Sequence, residues 1–177
     1  HNWRKAADSS VYPRYGRIRK DFERELASFV DFLAKEQIGE LKPNQCEISY
    51  INHFEVGSGW QSHGDANRTL RYLSEHFAVP FLAEPEGTRF STRYVLSHDT
   101  DGQSRPCGRL YIELNPAFSS DGQRPIFVLT LTVRGVPITH DIAGAMDFYD
   151  TGRQYIVCTF DVITSKSMHQ IWGKHEK

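Results

Sequence analysis

A chain of 177 residues, 39% of them hydrophobic, is long enough to bury one sizeable core and short for two. Its 21 Lys and Arg against 22 Asp and Glu leave a formal net charge of -1, so there is no chain-wide electrostatic footprint for a nucleic-acid backbone or an anionic membrane. Three cysteines, Cys46, Cys107 and Cys158, lie far apart without C-x-x-C spacing, which argues against a disulfide framework or a zinc ribbon and suits a reducing cytoplasm.

In chain order, the opening "HNWRK" has no Met, cap or turn, and an upstream segment is expected to be missing from a single α+β domain spanning 1–177. From Arg14 to Gln37, Ile18, Phe22, Leu26, Phe29, Val30 and Leu33 recur at helical spacing, with charged pairs filling the other face. Gly39 and Pro43 end that helix, and 46–56 reads as a strand. After Gly57-Ser58-Gly59 the pattern predicts a weaker helix over about 66–77, carried by Leu70, Leu73 and Phe77.

The period then changes to two. In 88–97, Phe90, Tyr94 and Leu96 alternate with Arg89, Ser91, Arg93 and Val95, and in 107–115, Leu110, Ile112 and Leu114 alternate with Arg109, Tyr111 and Glu113. In 125–134, Phe127, Leu129, Leu131 and Val133 alternate with Ile126, Val128, Thr130 and Thr132. Three strands of this kind mark an antiparallel sheet covered on one side. Asp121-Gly122 makes 119–124 a hairpin turn, and 98–106 reads as a longer connection. The run "IFVLTLTV" (126–133) is strand-length, far below the ~20 residues of a membrane span, and neither a membrane span nor a signal peptide is expected.

From Asp141 to Ile163 the helical period returns through Ile142, Met146, Tyr149, Ile156, Phe160 and Ile163, with Thr139 or His140 near the cap and Gly152 weakening the middle. "TSKS" (164–167) caps a short final helix carrying Met168, Ile171 and Trp172, and Trp172 is expected in the core. A sheet with one apolar face needs a cover. The expected fold is therefore α+β: a curved antiparallel sheet of about four strands packed against two long amphipathic helices, helix-grip-like in outline.

In "SYINHFEV" (49–56) the alternation of a strand sends Tyr50, Asn52 and Phe54 one way and Ile51, His53 and Glu55 the other, so Asn52 and His53 do not share a site. An unpartnered buried amide costs ~1–3 kcal/mol, so Asn52 requires either a structural hydrogen bond or, with Tyr50, a ligand held inside the grip. His53 sits among glutamates on a solvated face. Its alternative is a metal site with His63 and Asp65, as in a metal-dependent hydrolase, although the His-x-Asp spacing is loose and no second short ligand pair accompanies it.

"HDTDG" (98–102) lacks the later ligands of a calcium loop, and "VGSGW" (56–60) is not a nucleophile elbow. Cys46 and Cys158 fall on faces where buried, inert thiols are usual. No catalytic residue and no cofactor is assigned. Arg89, Arg93, Arg109 and Tyr111, with Glu113, fall on the second face of the meander. They form either a solvated face of mixed charge or a ligand-binding surface, since Arg and Tyr are favoured at contact centres.

"NWRK" (2–5), "YPRY" (12–15), "EISYINH" (47–53) and "SMHQIWGK" (167–174) together resemble a sporadically distributed bacterial family of uncharacterised proteins. Asn2, Trp3, Arg4, Tyr12, Pro13, Tyr50, Asn52, Trp172 and Gly173 match the family's positions. The resemblance implies a bacterial cytosolic protein with a further N-terminal segment, an accessory role in a toxin-antitoxin or defence locus, and no activity. The expected function is a non-enzymatic binding module for a protein partner or small ligand, with homodimerisation open. Nucleic acid ranks behind both, and a metal-dependent hydrolase is the alternative.

Overall fold

Four strands and four α-helices carry these patterns in the computed structural model, which describes residues 1–4, 11–73, 81–83, 85–100 and 103–173. They are α1 (Tyr15–Lys35), β1 (Cys46–Glu55), α2 (Ala66–Thr69), β2 (Phe90–Thr100), β3 (Gln103–Phe118), β4 (Pro125–Gly135), α3 (Ile142–Ile163) and α4 (Lys166–Ile171). The chain divides into two compact units, His1–Cys46 with Val136–Asp150, and Glu47–Gly135 with Thr151–Lys177. No described helix is long and apolar enough to cross a membrane.

In the first unit α1 is amphipathic as its spacing predicts, yet none of its residues is fully buried, and Phe29 and Phe32 remain 47% and 49% exposed. What ties it to the start of α3 is a polar fork. Arg19 Nε donates to both carboxylate oxygens of Asp150 at 2.9 Å, and the Tyr15 hydroxyl donates to the same group at 2.8 Å. Phe22 meets Tyr149 edge-on at 5.4 Å beside it. Both charged partners are partly exposed, so the pair contributes no more than about 1 kcal/mol. The cap of α3 is Asp141, with Thr139 beside it: Asp141 Oδ1 accepts from the Gly144 amide at 2.8 Å and from the Thr139 hydroxyl at 2.7 Å. Thr139 orients the carboxylate that does the capping.

In the second unit the sheet order is β1-β4-β3-β2. β2 and β4 pair antiparallel with β3, and β1 contacts run backwards along β4, from Glu47 to Arg134, Ser49 to Thr132 and Asn52 to Leu129. One face repeats the predicted alternation: Leu110 opposes Val133, Ile112 opposes Leu131 and Leu114 opposes Leu129, all buried. Each such side chain contributes roughly 1.5–3 kcal/mol of burial. The cover over this face includes α3 beyond Thr151, where Ile156 and Ile163 are buried, and α4, whose Met168 is buried. Gly152 does more than weaken a helix. A Cβ there would stand 2.8 Å from Ile48 Cγ2 and 3.2 Å from Val133, so the glycine marks a close approach between helix and sheet.

Several expectations change. The helix expected over 66–77 is a 3-10 turn (His63–Asp65), the four-residue α2 and a second 3-10 turn (Arg71–Leu73), while 74–77 lie outside the described residues. Leu70 is extended and bridges Thr164, which breaks the helix where the local pattern favours continuing it. The expected connection over 98–106 is mostly strand, because β2 runs on to Thr100 and β3 begins at Gln103. Gln103 to Pro106 are all exposed, so the ribbon is held by ladder bonds and carries no apolar signal. Cys46 is buried as expected, but Cys158 is exposed. Trp172 is 39% exposed, stacking on Phe160 at 5.5 Å and tilted against Phe54 at 5.0 Å.

Candidate functional site

Asn52 and His53 do face opposite ways. Asn52 is half-buried on the covered side, where its Nδ2 donates a long 3.5 Å bond to the Leu129 carbonyl, and Tyr50 is half-buried on the same face. His53 is exposed between Ile51 and Glu55 on the other side. The strand ladder thus supplies Asn52 with a partner from β4.

His63, Asp65 and His53 are not gathered, and among the described residues no three His, Cys, Asp or Glu side chains are placed to hold a metal ion. Asp65 and His63 are occupied by local structure. Asp65 closes a capping box: its Oδ2 accepts from the Gln61 and Ser62 amides at 2.9 Å. The Gln61 amide foremost, then that of Ser62 and the charge of Arg68, hold the carboxyl below its ordinary pKa against a smaller effect of burial. His63 lies among rings, 5.3 Å from Phe127, 5.4 Å from Phe118 and 6.0 Å from Trp60. Its Nε2 is 3.0 Å from the Ile126 carbonyl, which requires the proton on that nitrogen. The Trp60 indole N–H is buried without a hydrogen-bond partner among the described residues, so packing alone holds that ring.

The arginine cluster divides. On the open face of the sheet Arg93 opposes Tyr111, Val95 opposes Arg109, and Arg109 opposes Arg134. Register thus places Tyr111 opposite Arg93 on β2, two residues from Arg109 on its own strand and diagonal to Arg134 on β4. Arg134 pairs with Glu47 at 2.5 Å, whereas Arg109 donates to the Gly108 carbonyl at 2.9 Å, and neither Arg93 nor Arg109 makes an ion pair with a described residue. Arg134 was not expected at this face from the sequence, although it occupies the open-face parity of β4 two residues beyond Thr132. Nor was Tyr72, which stacks on Phe90 at 5.1 Å, and whose hydrogen bond to the Tyr94 hydroxyl pushes its pKa up to about 12.

Arg89 does not join them. It precedes β2 and lines an open groove of about 610 Å³ with His63, Glu86 and Phe118. The chain leaves the sheet there because the Thr88 amide donates to the His63 carbonyl at 3.1 Å. Gly64 lets the Pro85 carbonyl come close, since a Cβ at 64 would stand 2.2 Å from that oxygen. No protein-family model matches the chain, and neither the curated proteins nor the solved structures yield a match.

Proposed function

We propose that the chain is a non-enzymatic binding module that takes a protein partner on the open face of its sheet. The observation that carries this reading is the register that gathers Arg93, Arg109, Tyr111 and Arg134 on neighbouring open-face positions, with Ile51 and Val95 64% and 57% exposed on the same face. Arg and Tyr favour contact centres because each brings a broad, flat surface with directional hydrogen bonds, and a guanidinium forks a carboxylate with two parallel bonds. The partner's chemistry follows: an apolar contact flanked by carboxylates. Glu47 and Glu113 keep the face mixed in sign, which suits a protein better than a polyanion.

In the same reading, the helix-grip-like outline describes the second unit, where the close approach of Gly152 to Ile48 and Val133 supports a long helix laid along the sheet. A bacterial, cytoplasmic setting and an accessory role in a defence or toxin-antitoxin locus rest on the motif resemblance alone.

A photo-crosslinking amino acid at Val95, introduced in the cells that make the protein, tests the reading. The expected result is a discrete, nuclease-resistant adduct that disappears in R93E/R109E while the melting temperature stays unchanged. A nuclease-sensitive adduct would point to nucleic acid instead. An adduct that survives both charge reversals, or none at all, overturns the proposal.

A further inference from the structure

β3 is longer than the strand beside it. The last β2 residue in the ladder at that end is Phe90, opposite Leu114, whereas β3 continues to Phe118 and remains paired on its other side with β4. Among the described residues nothing pairs with 115–118 on that side, and the groove beside Arg89 lies along this edge, lined by Pro116, Ala117 and Phe118. Proline is tolerated in a sheet only where no ladder donor is needed, so Pro116 turns its nitrogen toward that side. Because backbone groups alternate in direction along a strand, Phe118 presents its N–H and C=O to that side as well.

The rest of the groove is chemically polarised. Phe118, 62% exposed, supplies an apolar wall with Pro116. Arg89 is exposed and makes no ion pair with a described residue, so its guanidinium is available at the point where β2 would otherwise continue. His63 cannot swing away, because its Nε2 is bonded to the Ile126 carbonyl and its ring is packed on Trp60 and Phe127. A volume of about 610 Å³ falls in the range of ligand pockets and takes a few residues rather than a domain.

We infer that this groove binds the free C-terminus of an extended peptide, which adds a short strand along Phe118 and Pro116 of β3, sets its α-carboxylate on Arg89 and rests an apolar side chain against Phe118. Strand addition supplies affinity through main-chain bonds, and a fixed cation reads the terminus. The site is separate from the open sheet face and stands or falls independently of the function proposed for that face.

The experiment is fluorescence anisotropy on the full chain. The probe is a pool of fluorescein-labelled octapeptides randomised at the last four positions, prepared once as free acids and once as C-terminal amides. The free-acid pool is expected to bind about tenfold more tightly than the amide pool, the difference of one charge-assisted fork. Arg89→Ala should abolish that preference, Arg89→Lys should restore part of it, and Phe118→Ala should weaken binding of both pools. Arg89 is exposed, so its loss leaves folding intact. Equal binding of the two pools, no binding of either at millimolar protein, or a preference that survives Arg89→Ala overturns the inference. So does an anisotropy rise that appears without peptide specificity and tracks self-association of the chain.

Discussion

Gly152→Ala tests whether helix α3 and the sheet meet where the geometry says they do. Replacing a helical glycine by alanine ordinarily stabilises by about 0.8–1 kcal/mol, because the unfolded chain loses freedom and the helix gains a better former. Here the new methyl would stand 2.8 Å from Ile48 Cγ2 and 3.2 and 3.4 Å from Val133 side-chain atoms. Cγ2 is attached directly to Ile48 Cβ and Val133 is only 1% exposed, so neither neighbour can swing aside cheaply. Overpacking of this kind costs roughly 1–3 kcal/mol, so the net effect is expected to be destabilising by about 0–2 kcal/mol. For a chain of this length that lowers the melting temperature by about 2–4 °C per kcal/mol. Gly16→Ala in α1 is the internal control. Nothing stands within 4 Å of its Cβ, so it should stabilise by about 0.4–1 kcal/mol. In an Ile48→Ala background, which removes the opposing methyl, Gly152→Ala should turn neutral or favourable, and the double-mutant cycle isolates that coupling. Urea unfolding followed by circular dichroism measures all four variants. If Gly152→Ala stabilises as much as Gly16→Ala does, the close-contact reasoning is wrong.

Ser165→Ala is expected to cost about 1 kcal/mol, since Ser165 Oγ accepts from the Met168 amide as the cap of α4 and also donates to the Arg68 carbonyl at 2.6 Å; thermal melts check it. Asp65→Ala should cost a similar ~1 kcal/mol at neutral pH by opening the capping box. The folded carboxyl has a lowered pKa, so its contribution is complete above the unfolded value near 4 and disappears as pH falls through the lower folded value. Wild type and Asp65→Ala should therefore converge in stability at the acid end of a denaturation series, and a gap that stays constant with pH would contradict that assignment. Dialysis against EDTA should leave the melting temperature within error. His63 Nε2 and Asp65 Oδ2 are engaged by backbone groups, and a drop of several degrees would revive the metal site.

The sequence alone determined where the second unit has an inside. Period-two alternation identified the buried row of Leu110, Ile112, Leu114, Leu129, Leu131 and Val133, though Tyr94 on the same face is exposed and Ile126 on the other is buried, and it sent Asn52 and His53 to opposite faces, because a strand's side-chain direction is set by backbone geometry alone. The cap at Ser165 was legible for the same local reason. What only the tertiary structure decided was the outcome of competition between local pattern and distant contacts. Leu70 leaves the helical path to bridge Thr164, Gly152 is a contact rather than a flaw, and Ser97–Thr100 and Gln103–Pro106 pair as strands without an apolar signal. Site chemistry was the least legible part. Whether an arginine joins Tyr111 or lines a groove depends on register and on strand ends, and both are fixed by hydrogen bonds between segments far apart in the chain. Arg134 thus joined the open face through pairing with β3, and Arg89 left it because the chain turns away at Thr88 to bond His63.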